Sequence, residues 1–150
     1  MVRETIDPAD AQRVGASFER QNAMRELGIE LVAVRPGEVE LAMPASERLT
    51  QQHGFLHAGI VATGLDSACG YAAFSLMPPE AAVLTIEFKI NLLAPAAGER
   101  FVFRAGVTKA GRTISVSDGR AYALRDGKES LIATMTATLM AVVGREDIRH

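Results

Sequence analysis

Hydrophobic and polar positions change pattern three times along the chain, and each change marks a new kind of element. Asp7 followed by Pro8 forms a helix start, a side-chain cap with a first-turn proline, and Ala11, Val14 and Phe18 follow at helical spacing. The pattern predicts an amphipathic helix over about 8–27, ending near Gly28. Ile29, Leu31 and Ala33 then alternate, and beyond Arg35-Pro36-Gly37-Glu38 the alternation resumes at Val39, Leu41 and Met43, which predicts a hairpin. From about 45 to 56 the sequence is polar and reads as a loop.

Phe55 to Met77 is almost wholly apolar, and its Ala and Gly residues predict a thin helix over about 58–76, apolar all round and stopped by Pro78-Pro79. Such a helix must be enclosed. Beyond the prolines the period is two: Leu84, Ile86, Phe88, Ile90 and Leu92 are expected on a buried face, with Thr85, Glu87, Lys89 and Asn91 opposite. Phe101, Phe103, Ala105 and Val107 predict the next strand. Lys109-Ala110-Gly111-Arg112 turns the chain into Ile114 and Val116, with Tyr122 and Leu124 continuing beyond a bulge expected at Asp118-Gly119. Asp126-Gly127 is a hairpin turn, and the last strand sends Leu131, Ala133, Met135, Ala137 and Leu139 inward and Thr134, Thr136 and Thr138 outward. The fold class expected is α+β, one domain over residues 1–150 in which a curved antiparallel sheet wraps a central helix.

Composition narrows the function. With 150 residues, 48% hydrophobic and 23% charged at a net charge of −2, the chain has neither the composition of a disordered segment nor a basic nucleic-acid footprint. The single cysteine, Cys69, has no metal-site partner pattern and is expected as a packed core thiol. The amino terminus lacks the apolar core of a secretory signal, so a cytoplasmic location is expected. A membrane span through the apolar run is disfavoured, because Asp66 sits near its middle and small residues outnumber Leu and Ile. Burying an unpaired carboxylate is costly, so Asp66 is paired, protonated or kept by a site.

The run Gln51-Gln52-His53-Gly54-Phe55-Leu56-His57-Ala58-Gly59, with Asp66 nine residues after His57 and the strand LTIEFKINLLAP from Leu84, resembles the hotdog-fold acyl-CoA thioesterases, in their PaaI-like, phenylacetate-type branch. The likeness covers about residues 18–143. Gln51 stands where the family usually has Asn, and Ala58 at the first Gly of its His-Gly-Gly. The resemblance implies hydrolysis of an acyl-CoA thioester without a cofactor, since CoA belongs to the substrate, and without a metal. It implies that the Ala58 N–H polarises the thioester carbonyl and that Asp66 acts as general base or nucleophile. Gln51 completes the carbonyl contact, Thr85 positions the water and His57 shapes the loop; Gly59 lines the substrate site, and Lys109 and Arg112 approach the CoA moiety.

Helix geometry adds a constraint. On a regular helix Asp66 lies about 12 Å along the axis from Ala58, too far for both to act on one carbonyl. A two-fold homodimer, and dimers pairing into a tetramer, would supply Asp66 from a second copy. Rival readings remain for each residue: Asp66 as a carboxylate bonded to local backbone or paired with His57 of another chain, His57 as a helix-start residue, Thr85 as an outward strand residue, and Lys109 and Arg112 as solvated turn residues. For the whole chain the alternatives are a non-catalytic acyl-CoA sensor and an acyl-thioester dehydratase or hydratase.

Overall fold

The structure, a computed structural model, describes residues 5–148. Helices α1 (Pro8–Glu19) and α2 (Asn22–Leu27) precede strands β1 (Glu30–Arg35) and β2 (Glu38–Pro44). After a short 3₁₀ turn at Glu47–Leu49 come helix α3 (Ala58–Phe74) and strands β3 (Ala82–Leu92), β4 (Arg100–Lys109), β5 (Ile114–Arg125) and β6 (Lys128–Val142). The strands form one antiparallel sheet in the order β1-β2-β4-β5-β6-β3, curled around α3. This is the hotdog arrangement, α+β, as expected. Among the described residues no helix is long and apolar enough to cross a membrane.

Asp7 caps α1 by accepting from the Ala9 N–H at 2.8 Å, and Pro8 holds the first helical position. The single helix expected over 8–27 is two. In an unbroken helix Met24 would lie about 240° around from Phe18; the interruption at Arg20-Gln21 rephases the chain so that both are buried. Gly28 ends α2 in the left-handed conformation that glycine adopts without strain.

The smallness of α3 is explained by what lies on it. A Cβ on Gly64 would stand 2.5 Å from the Phe103 ring, and one on Gly119 of the sheet would stand 3.0 Å from Cys69 Sγ and 3.1 Å from the Leu65 side chain. Cys69 is the core thiol expected, its pKa pushed up to about 12 by burial, with the charges of Asp66 and Asp118 adding to the effect. The helix ends at Phe74, two residues before the expected boundary. Ser75 Oγ donates to the Ala72 carbonyl and accepts from the Gly37 N–H, while Arg13 donates to the Phe74 and Met77 carbonyls with its guanidinium 4.2 Å over the Phe74 ring. These contacts satisfy carbonyls that a helix end leaves without partners.

Three expectations about the strands are corrected: the buried face of β3, the bulge at Asp118-Gly119 and the inward placing of Leu131. On β3 a bulge at Ile86 changes the phase: Leu84 pairs with Met140 on the outer face, whereas Thr85, Phe88 and Ile90 pair with Leu139, Ala137 and Met135 on the helix side. The apolar set of β3 is therefore not one buried face; Ile86, Phe88 and Leu92 are 52%, 43% and 55% exposed. On β5 the inward set is Ser115, Ser117, Gly119, Ala121 and Ala123, because only small side chains fit beside α3, and Ile114, Val116, Tyr122 and Leu124 lie outward. The register runs unbroken through Asp118-Gly119, and the shift occurs at Ala121/Tyr122, where Ile132 of β6 is the extra residue. Ile132 is thereby buried and Leu131 joins Tyr122 on the outer face. The Asp126-Gly127 hairpin forms with positive φ at both residues, the geometry of a type I′ turn.

Candidate active site

His57 precedes α3 in an extended conformation and caps it: its Nδ1 accepts from the Gly59 N–H at 2.8 Å. A ring accepting at Nδ1 carries its proton on Nε2 when neutral. The cap is tight against the second helical position: a Cβ on Gly59 would stand 3.0 Å from Nδ1, so the ring would have to shift to admit one. The His57 carbonyl accepts from Ile60 and Val61. Of the amides at the helix start, that of Ala58 is left without an acceptor among the described residues. It is a single, exposed, oriented donor at the positive end of a helix dipole, the arrangement that stabilises a developing oxyanion.

Gln51 lies in the loop before the helix. Its Oε1 accepts from the His53 and Phe55 N–H groups at 2.6 and 3.3 Å, which fixes the amide plane and leaves the Nε2 hydrogens as the donors it can offer. Gln51, His57 and Ala58 border a cavity of about 480 Å³ that otherwise has apolar walls, and no charged residue lines it. The pattern of the sequence gave no sign of this cavity. Its walls come from the Leu92–Ala96 segment and from Ile132, brought together by a strand end and a bulge.

Asp66 sits two turns along α3, about 80° around the axis from Ala58 and so on nearly the same side. It accepts from Thr85 Oγ1 at 2.8 Å. Burial pushes its carboxyl pKa above the ordinary value, and the Thr85 hydrogen bond pulls it partway back. Thr85 was expected to face outward; the bulge at Ile86 turns it to the helix instead. The chain thus brings together Asp66 with Thr85, and separately Ala58 with Gln51, His57 and Gly59. It does not bring Asp66 into the Ala58 cavity. Lys109 and Arg112, at the β4–β5 turn, are exposed and lie at the Leu84 end of the sheet, away from Ala58. Among the described residues no group of three or more His, Cys, Asp or Glu side chains could hold a metal ion.

A cavity with apolar walls, an oriented amide beside it and a half-buried carboxylate two turns along the same helix are parts that an acyl-transfer hydrolase uses. Comparison with known proteins gives the family. The thioesterase superfamily profile matches residues 53–130. Human acyl-coenzyme A thioesterase 13 is 33% identical over 106 residues, 68% of this chain and 74% of that protein. Among solved structures, a thioesterase family protein from Silicibacter pomeroyi is 65% identical with a TM-score of 0.89, covering 90% of this chain and 99% of that one. The Escherichia coli PaaI protein shares the fold at 21% identity and a TM-score of 0.80, over 90% of this chain and 94% of its own. The chain belongs to the thioesterase superfamily and is a thioester hydrolase with the hotdog fold that the PaaI protein shares.

Proposed function

We propose that the protein hydrolyses acyl-CoA thioesters at two sites per homodimer, each built from both copies. The observation that carries this reading is the division within one chain: the unpaired Ala58 amide lies at a cavity mouth, and Asp66 lies about 12 Å away on the same helix face. The exposed edge strand β3 supplies the means of joining two copies. Eleven residues long, with Leu84, Ile86, Phe88 and Leu92 exposed along it, it offers an open sheet edge to a second β3. Antiparallel pairing centred on Lys89, with Ile86 again the extra residue, sets Thr85 of one copy, with its Asp66, opposite Leu92 of the other, in the wall of the Ala58 cavity. The name of the human relative supports CoA as the leaving group.

In this reading the thioester carbonyl accepts from the Ala58 N–H and from Gln51 Nε2. Asp66 of the second copy, held by Thr85, takes a proton from a water that attacks the carbonyl, or attacks the carbonyl itself to form a mixed anhydride that water then opens; in either case the acyl–sulfur bond breaks, and the thiolate gains a proton from the water consumed and leaves as the CoA thiol. No cofactor enters. His57 and Gly59 fix the helix start that aims the amide. Lys109 and Arg112 belong at the CoA phosphates of the neighbouring site, where the two-fold arrangement brings the far end of the sheet. A cytoplasmic location, where acyl-CoA is found, completes the reading, and pairing of dimers into a tetramer remains part of it.

Complementation tests it. Ala58→Pro deletes the amide donor at a position where proline suits the helix, and His57 before it, at φ −60 and ψ 137, already has the backbone a following proline requires. Asp66→Asn deletes the carboxylate. Each variant alone is expected to lack thiol release; co-refolded in equal amounts they should regain about a quarter of wild-type activity, because half the dimers then hold one intact site. No regain, with heterodimers demonstrated, overturns the shared site. Wild type that binds acyl-CoA but releases no thiol overturns hydrolysis in favour of a sensor.

A further inference from the structure

The geometry points to Ile132 as the residue that sets the depth of the acyl pocket, and to an uncharged, apolar acyl group as its occupant, an inference that rests on the thioesterase reading above. The cavity beside Ala58 has room for one of the two groups attached to the thioester carbonyl. It lacks any Lys or Arg, so the CoA phosphates would have no counterion there. The pantetheine arm carries two amides, and burying an amide without a hydrogen-bond partner is unfavourable; only Gln51 and His57 in the lining are polar. An apolar acyl chain or ring meets no such penalty, whereas a terminal carboxylate on the acyl group would be desolvated and unpaired.

Ile132 owes its place in that cavity to the bulge. In β6 it has no partner on β5, since Ala121 pairs with Ala133 and Tyr122 with Leu131. The extra residue sends Ile132 inward beside Ala133, and it is 2% exposed. The bulge is held from the opposite wall: the Ile132 carbonyl accepts from the Leu93 and Ala94 N–H groups at 2.8 and 3.3 Å. Bulges next to active sites commonly re-aim a side chain in this way. One branched side chain, fixed by its own backbone to the wall it faces, therefore limits the cavity. Leu93 on that wall is half exposed and reaches the same space.

The test is kcat/KM over a series of straight-chain acyl-CoAs of increasing length, with phenylacetyl-CoA and a dicarboxylic acyl-CoA, for wild type, Ile132→Val, Ile132→Ala and Leu93→Lys. Wild type should favour apolar over carboxylated acyl groups by at least tenfold. Removing methylenes at Ile132 should move the preferred chain to greater length in graded order, Val then Ala, by roughly tenfold in the long-to-short ratio, the size of effect one methylene has in an apolar pocket. Ile132→Val removes a single methylene and keeps the result readable should Ile132→Ala fold poorly. Leu93→Lys, at a partly solvated position, should lower activity on apolar chains and raise it on the carboxylated one. Hydrolysis with unchanged chain preference in both Ile132 variants overturns the pocket inference while leaving the thioesterase standing; absence of thiol release from wild type on every substrate overturns both.

Discussion

The two ends of α3 are built to opposite purposes. At the C-terminal end every device closes the helix: Ser75 bonds Ala72 and Gly37, Arg13 bonds Phe74 and Met77, and Phe74 is buried beneath the guanidinium and against Tyr71. At the N-terminal end the residues are exposed, and the His57 cap satisfies Gly59 yet leaves the neighbouring Ala58 amide open. A helix end can be finished for stability or kept open for a ligand, since each orphan group either has an internal partner or is available to an external one. Here the chain does both on one helix. Substitutions at the two ends should therefore divide cleanly between activity and stability.

Of the two ends, the open one is expected to give the larger effect on activity. Ala58→Pro should lower kcat by about 10²–10³-fold, the usual consequence of losing one oxyanion donor, with an unchanged melting temperature. A matching fall in melting temperature would mean that the amide serves the fold. At the closed end, Ser75→Ala leaves the buried Gly37 amide without its acceptor and should destabilise the protein by about 1–3 kcal/mol in denaturant unfolding. Its kcat per folded molecule should stay at the wild-type value; a large loss of kcat would erase the contrast.

Gly59→Ala sharpens the comparison within the open end. The new methyl displaces the His57 ring and removes a cap worth about 1 kcal/mol. Alanine for glycine in a helix returns about the same amount. Stability should thus change little while kcat falls, by less than for Ala58→Pro, because the amide remains but its aim is lost. The smallest effect belongs to Thr85→Val. Thr85 lowers the Asp66 pKa against the upward push of burial, so its removal raises that pKa further. Asp66 acts only when ionised, and the acid limb of the kcat/KM profile should move to higher pH; a shift to lower pH, or none, would separate Thr85 from the carboxylate. The same sign applies to stability. A carboxyl whose folded-state pKa lies above its unfolded value favours folding at acid pH, and that contribution is lost as pH rises through the folded pKa. Asp66→Asn should accordingly raise the melting temperature at neutral pH while abolishing activity, the usual trade at a strained site.

Element types were legible because each rests on local chemistry. Asp7-Pro8 and the Asp126-Gly127 turn are dictated by backbone preferences within a few residues, and the small-residue composition of α3 already requires a close wrapping partner. Which face of a strand is buried was legible only where no bulge intervenes. On β5 the apolar residues lie outward, because the space beside α3 admits only Ser, Gly and Ala; hydrophobicity alone predicts the reverse. On β3 and β6, Ile86 and Ile132 are ordinary strand residues in the sequence, and only the pairing of neighbouring strands makes them bulges. The site divides in the same way. His57, Ala58, Gly59 and Asp66 are spaced by one helix and could be read together; Gln51's anchoring of the loop and the walls of the cavity could not.

The sequence by itself determined a helix too small and apolar to stand alone, the sheet that must enclose it, and the carboxylate and helix start from which the chemistry follows. Tertiary structure decided where the chemistry can happen. Register shifts move a side chain from one face of a sheet to the other at the addition of a single residue, and they are set by long-range pairing, to which local pattern is blind. Through two such shifts Thr85 came to hold Asp66, and Ile132 came to close the cavity beside Ala58.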